Sequence, residues 1–320
     1  MRIMRAAYAS SFDADNPLAG LVVGDRPEPV LPDPDWVTVR VQASSLNHHD
    51  IWSLRGVGLA AERLPMILGC DAAGVDPDGN EVVVYPIVVD PDDPRGMSIL
   101  SEHHQGTLAE RVAVPRDNLV PKPAELSFAD VACLPTAWLT AYRMLTTKGR
   151  VAEADAVLVQ GAGGGVATAA VVLGLALGKR VYATSRDAGK RDRIAELGAT
   201  AVEPGARLPE RVDVVIETVG AATFDHSLKS AAPGARIVVS GATAGHNATV
   251  NLRRVFAMQL EIVGTSMGTP GELAELLQLC VDRGIRPVVD EVVPFSRVQD
   301  AFARLHSGDV FGKVVVDHSA

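Results

Sequence analysis

The stretch VLVQGAGGGVATAA, residues 157–170, decides the fold. It begins as an apolar strand, passes through glycines at 161, 163, 164 and 165, and ends in small residues that open a helix. Glycines at that junction permit a tight turn and let backbone N–H groups and a helix N-terminus approach a pyrophosphate. A plain turn in an α/β domain can look the same, so the flanking sequence has to decide.

Downstream the runs alternate. VLVQ (157–160), RVYATS (180–185), VDVVIETVG (212–220), RIVVSG (236–241) and EIVGTS (261–266) are β-rich and bounded by glycine, with helical stretches such as AGKRDRIAELG and FDHSLKSAA between them. Strands buried on both faces and separated by helices predict a doubly wound parallel sheet, that is, an α/β Rossmann-type domain. Upstream, from residue 1 to about Val120, short alternating runs broken by Pro and Gly predict a β-rich unit. Ser127, with Asp130 three residues on, is a helix start signal for the apolar stretch Val131 to Leu145. A helix from Gly271 to Arg283, a strand VVDEVVPF, a helix over Val298 to Leu305 and a strand KVVVDH close the chain.

The strand RVYATS ends where a cofactor with a free ribose 2′-hydroxyl wants Asp or Glu. Thr184, Ser185 and Arg186 stand there instead, with Lys190 one helical turn on. Two cations and no acid suit the 2′-phosphate of NADP(H). The same cations would also serve as solvated charges at a helix start.

At 320 residues, with about 150 per domain, the chain predicts two domains. A net charge of −9 argues against a nucleic-acid partner. Cys70, Cys133 and Cys280 lack metal-knuckle or redox-pair spacing, and the N-terminal residues lack the apolar core of a signal peptide, so the sequence predicts a cytoplasmic protein with no membrane partner.

The ordered set ASSLNHHDIWSLRG, LPMILGCDAAG, GTLAERVAVP, LPTAWLTAYRML, VLVQGAGGGVATAA and FGKVVVDH resembles the medium-chain dehydrogenase/reductase superfamily across nearly the whole chain. The resemblance implies a GroES-like catalytic domain (1–122 and 268–320) and a Rossmann domain (123–267). Where zinc enzymes of the family carry a first Cys, Asn47 stands; where they carry His then Glu, Cys70 and Asp71 stand; Thr136 falls at the third position. The pattern is similar to the zinc-free quinone oxidoreductase branch, and no metal is expected.

Without a metal to polarise a carbonyl, the expected acceptors are already activated: a quinone or a conjugated enone. The resemblance places Asn47 at the nicotinamide ribose or the substrate. Asn47, His49, Tyr85 and His104 become the candidate catalytic donors, with His49 at the family's proton-relay position. Trp52 and Trp138 are readable as pocket lining or as core. The pairs His48–His49 and His103–His104 invite a metal, but adjacent residues on a strand point oppositely. Expected cofactor contacts are Asn47, Thr140, Gly161, Ala162, Gly163, Gly164, Gly165, Val166, Ser185, Arg186 and Lys190. Further contacts are expected at the strand-end sets Val219-Gly220, Gly241-Ala242-Thr243 and Thr265-Ser266-Met267. The pair Gly312-Lys313 resembles a family pair that reaches the phosphates. Ala167 replaces the usual third glycine, and Glu217 is expected to be structural. An exposed last strand, EIVGTS, predicts a homodimer. A zinc alcohol dehydrogenase, an enoyl-thioester reductase and a non-catalytic NADPH-binding redox sensor remain as alternatives.

Overall fold

The computed structural model describes residues 2–91, 93 and 96–319. It divides into two compact units, Met1–Thr136 with Leu273–Ala320, and Ala137–Glu272. The first crossover therefore lies at 136/137 and not at 122/123. The reason is the short helix Phe128–Ala132, which packs against strands Trp36–Ser45 and Asp71–Val75 and so belongs with the first unit.

The second unit is a six-stranded sheet in the order Thr200–Val202, Arg180–Thr184, Ala156–Val159, Val212–Glu217, Ala231–Val239, Glu261–Gly264. Every recorded pairing in it is parallel. Val157, Leu158 and Val159 are all fully buried, which is why this strand reads as a continuous apolar run. At about 1.5–3 kcal/mol for each large side chain buried, that run contributes much of the sheet's stability. The helix Gly165–Ala176 starts at the glycine loop, and the helix Ala188–Glu196 is capped by Asp187, whose Oδ1 accepts from Lys190 N at 2.7 Å.

In the first unit the main sheet runs Leu119–Pro121, Glu81–Val84, Asp71–Val75, Trp36–Ser45, Lys313–Asp317, Val289–Pro294, with Arg111–Pro115 paired to the first half of Trp36–Ser45. A three-stranded sheet of Leu21–Pro27, Ile3–Ala9 and Met66–Ile67 lies in the same unit. The C-terminal strand inserts beside Trp36–Ser45, with Val315 opposite Ser45. This pairing brings the chain's tail to the residues around position 47.

Two expectations change. The stretch Val131 to Leu145 is not one regular helix: wider turns at Leu134–Trp138 and Met144–Lys148 interrupt it. Pro135 has no N–H to give the ladder, which favours such a break at the first of them. Residues 48–54, treated as extended in the sequence reading, form a helix, His48–Leu54.

Candidate functional site

The candidate residues fall into two sets, one in each unit. In the second unit they gather at the carboxyl ends of the parallel strands, where open α/β sheets bind ligands. Gly161 has φ +70°, and a Cβ there would collide with Val219 Cγ2; Gly163 has φ +137° and lies against the Lys190 side chain. Both positions need glycine for backbone reasons. Gly164 caps the helix Gly165–Ala176 with open space where a side chain would stand. A ligand phosphate could approach the backbone there.

A buried polar chain holds this loop from beneath. Gly161 N donates to Thr184 Oγ1 at 3.0 Å, and Thr184 Oγ1 donates to Gln160 Oε1 at 2.8 Å. Gln160 Nε2 donates to Ser227 Oγ at 3.0 Å, and Ser227 Oγ donates to Glu217 Oε2 at 2.6 Å. Glu217 also accepts from Val219 N at 2.9 Å, Gly220 N at 3.0 Å and the Thr223 hydroxyl. Its carboxylate thus fixes the Val219-Gly220 turn, the structural role expected of it. Gln160 and Ser227 were missed in sequence, because they act through the loop rather than toward a ligand.

Neighbouring turns close on the same place. Ala244 N donates to Val219 O at 2.8 Å and Thr243 Oγ1 to Thr218 O at 3.3 Å, so the 218–220 and 241–245 turns are bound together. Ser185 is buried and Arg186 exposed, and Arg191 donates to both carbonyls, at 2.9 and 3.0 Å. Thr265 is tied to the end of the adjacent strand through Val239 O at 3.0 Å; Ser266 is exposed and Met267 half-buried. Thr140 is buried on the helix Leu139–Arg143, which packs on the helix that follows the glycine loop.

In the first unit the centre is Asn47, the residue before the helix His48–Leu54. Its Nδ2 donates to Asp71 Oδ2 at 2.8 Å, and its Oδ1 accepts from Lys313 Nζ at 2.6 Å. Lys313 Nζ also donates to the Leu46 carbonyl at 2.7 Å and lies 3.2 Å from Asp71 Oδ2, while Ser45 Oγ lies 2.8 Å from that same oxygen. Lys313 and Asp71 are buried, with side chains 2% and 0% exposed. This corrects the expectation that Gly312-Lys313 reaches the cofactor phosphates: the ammonium has three acceptors inside its own unit, which saturates its three N–H groups. Gly312 serves packing, since at φ +103° a Cβ would run into the Val288 carbonyl.

Asp50 ties the site together. Its Oδ2 accepts from Asn47 N and its Oδ1 from Gly69 N, both at 2.8 Å. Burial pushes its carboxyl upward, against the lowering pull of His49 and those two N–H donors.

The other candidate donors make contacts of their own. His49 Nε2 is buried without a hydrogen-bond partner and lies 3.9 Å from Glu102 Oε1. Tyr85 is buried, its N–H donating to Asn118 O at 2.8 Å. His104 stacks on Trp36 with ring centroids 4.8 Å apart. It lines a cavity of about 330 Å³ with Arg26, Glu28, Val30 and Gln105, and Asn47 and His49 take no part in that cavity. Trp52 is half-buried beneath the Arg55 guanidinium, 5.1 Å from its ring centroid. Trp138 is wholly buried, so it is core and not pocket lining.

The possible metal ligands are also occupied or scattered. Cys70 is buried, with Sγ 3.4 Å from the Leu100 carbonyl, and burial together with the charges of Asp50 and Asp71 pushes its thiol far up. His103 holds Asp90 at 2.9 Å. Among the described residues no three His, Cys, Asp or Glu side chains converge as a metal site.

A family model described as alcohol dehydrogenase GroES-like domain matches residues 33–124, and one described as zinc-binding dehydrogenase matches residues 190–316. A zinc-type alcohol dehydrogenase-like protein of Schizosaccharomyces pombe is 30% identical over 88% of this chain and 91% of its own length. The chain belongs to the medium-chain dehydrogenase/reductase superfamily. A 2-methylene-furan-3-one reductase of Solanum lycopersicum is 31% identical over 88% of this chain and 71% of its own length. Among solved structures, an NAD-dependent alcohol dehydrogenase superposes with TM-score 0.86 at 34% identity, covering 98% of this chain and 99% of that one. The 2-octenoyl-CoA carboxylase reductase CinF, in complex with NADP and 2-octenoyl-CoA, superposes with TM-score 0.89 at 25% identity, covering 98% and 87%.

Proposed function

We propose that the chain is an NADP(H)-dependent oxidoreductase that transfers hydride to a quinone or an α,β-unsaturated carbonyl without zinc. The observation that carries this reading is the Asn47–Asp71–Lys313 cluster. At the positions that resemble a catalytic metal set stand a neutral amide, a buried thiol directed at the Leu100 carbonyl and a carboxylate already paired with an ammonium. Such donors do not fit a catalytic zinc ion. The acceptor must then be polarised already, which quinones and conjugated carbonyls are.

NADP(H) is favoured by Ser185 and Arg186 after the second strand and by Lys190 over the glycine loop, where NAD would want an acid. The bound nucleotide would supply the hydride; the residues around Gly161–Gly165 would hold its pyrophosphate. In the first unit, Asn47 offers an N–H to an oxygen on which negative charge develops. His49, with Glu102 beside it, is the candidate for holding a proton.

An enoyl thioester is a second acceptor worth testing, because a structural neighbour binds 2-octenoyl-CoA and its conjugated double bond is the same kind of electrophile. We also infer a homodimer through the edge strand Glu261–Gly264. Ile262 on that strand is 43% exposed, and Leu252 and Phe256 on one face of the helix Leu252–Ala257 are 71% and 72% exposed. A monomeric mass at micromolar concentration would overturn the dimer.

The functional test is NADPH oxidation by chelated protein against a quinone, a conjugated enal, crotonyl-CoA and a simple ketone, each repeated with NADH. Turnover of any of the first three with preference for NADPH is expected. Turnover of the ketone alone, and only after zinc is restored, would overturn the reading.

A further inference from the structure

Asp71 uses its two carboxylate oxygens unequally. Oδ2 has the Asn47 amide, the Ser45 hydroxyl and the Lys313 ammonium around it, all within 3.2 Å. Oδ1 is buried with no hydrogen-bond partner among the described residues. Leaving a buried acceptor unpaired costs about 1–3 kcal/mol. An arrangement built for stability alone would turn the carboxylate to share its donors; here the donors crowd one oxygen, and the two charges also meet the two ends of one neutral side chain.

That side chain is Asn47. An amide can be flipped end for end with little change of shape, and its donor and acceptor then exchange places. Here the ammonium fixes the oxygen end at 2.6 Å and the carboxylate fixes the nitrogen end at 2.8 Å. One N–H of Nδ2 is used on Asp71, and a second remains. Withdrawal of electron density toward an ammonium-bound oxygen makes that second N–H a stronger donor, because hydrogen bonds in a chain polarise one another. A flipped Asn47 would set its NH₂ against the ammonium and its oxygen against the carboxylate, which forbids the alternative.

We propose that Lys313 and Asp71 are positioning residues which lock the Asn47 amide so that its free N–H is presented to the substrate oxygen, the internal ammonium supplying charge that zinc enzymes draw from a metal. This rests on the reading that the centre reduces an activated carbonyl, and it goes beyond that reading by assigning the machinery behind the donor. It also removes Lys313 from the nucleotide's phosphates.

The test compares Asn47→Ala, Lys313→Met and the double variant for kcat, KM and NADPH affinity. Lys313→Met should lower kcat by about 100-fold, as loss of one preorganised donor does. NADPH affinity should stay within about twofold, and the double variant should be no slower than Asn47→Ala alone, because residues acting as a unit are not additive. Multiplicative losses in the double variant would overturn the proposal. So would a Lys313→Met protein with normal kcat and NADPH affinity weakened about tenfold, the signature of a phosphate contact.

If Lys313→Met does not fold, Lys313→Met with Asp71→Asn removes both charges together; wild-type kcat in that protein would overturn the proposal. An NMR readout separates this inference from the functional reading. The Asn47 side-chain NH₂ signals should be shifted and protected from exchange in wild type and should lose both features in Lys313→Met, whatever the acceptor is. Unchanged Asn47 signals would sink the positioning role even in an active enzyme.

Discussion

Lys313 donates to Asn47 Oδ1 at 2.6 Å across 266 positions of sequence. The contact exists because the C-terminal strand Lys313–Asp317 pairs antiparallel with the end of Trp36–Ser45, which places the first residue of one strand beside the segment that follows the other. A buried ammonium survives there because Asp71 is 3.2 Å away. Breaking such a pair by removing one partner typically costs about 3–5 kcal/mol, whereas removing both charges costs far less. Lys313→Met is therefore expected to lower the unfolding midpoint markedly, and Lys313→Met with Asp71→Asn to recover most of the loss. Denaturant titration of the three proteins checks it.

Asp50 spans two segments, accepting from Asn47 N and Gly69 N at 2.8 Å each. Asp50→Ala leaves both N–H groups buried and unpaired, at about 1–3 kcal/mol each. The expected outcome is a less stable protein with lower kcat, since Asn47 and the Gly69–Asp71 turn both lose their anchor. Undiminished kcat in a folded Asp50→Ala protein would show that the anchor does not serve the reaction.

Gly161→Ala should impair nucleotide binding in a folded protein. A Cβ at φ +70° is strained, and this one also meets Val219. Isothermal titration should show NADPH affinity reduced by about tenfold or more, the loop's strain being of order 1–3 kcal/mol. Gly164, which has open space, should tolerate alanine better as far as folding is concerned.

Arg186→Glu should move cofactor preference. An acid at this strand end accepts from a ribose 2′-hydroxyl and repels a 2′-phosphate. The ratio of kcat/KM for NADPH over NADH is expected to fall by about tenfold or more, a differential of about 1.4 kcal/mol. An unchanged ratio would mean that Arg186 is only a solvated charge.

Acid should destabilise the first unit through His318. Its Nε2 is buried without a partner, its ring lies 4.9 Å from that of Phe295, and burial holds its pKa at about 4 against an ordinary 6.5. A depressed folded-state pKa means the unfolded chain binds the proton first, so stability is full above about pH 6.5 and declines as pH falls toward 4. Between about pH 7.5 and 5 the loss from this group should be about 2 kcal/mol. His318→Phe should lose correspondingly less over that interval.

Much of the fold was legible because period and burial agree. The runs at 157–160, 180–185, 212–220, 236–241 and 261–266 all became parallel strands: those inside the sheet are covered on both faces and need continuous apolar sequence, while the edge strand Glu261–Gly264 is largely exposed and was legible from its β-rich run between glycines. Thr200–Val202 escaped notice because three residues carry no periodicity. The helix His48–Leu54 was missed although Asn47 with Asp50 three residues on is the same start signal as Ser127 with Asp130; two adjacent histidines drew attention to ligation instead. The glycine loop was legible as a local motif. Lys313 was not, because its partner comes from strand pairing across most of the chain, and the family resemblance pointed its side chain elsewhere. Trp138 and His104 show the same limit: residue type suggested a site, and only packing could say that one is wholly buried and that the other lies against Trp36 and lines a cavity with Arg26, Glu28, Val30 and Gln105.

The most direct test of the central claim is the fate of a labelled hydride. Metal-stripped protein, its zinc content measured in the same sample, is given NADPH deuterated at the reactive nicotinamide carbon and a conjugated enal. The account predicts a reduced product carrying the deuterium, formed with zinc far below one ion per chain. An unlabelled product, or labelled product formed only once zinc is restored, would contradict it.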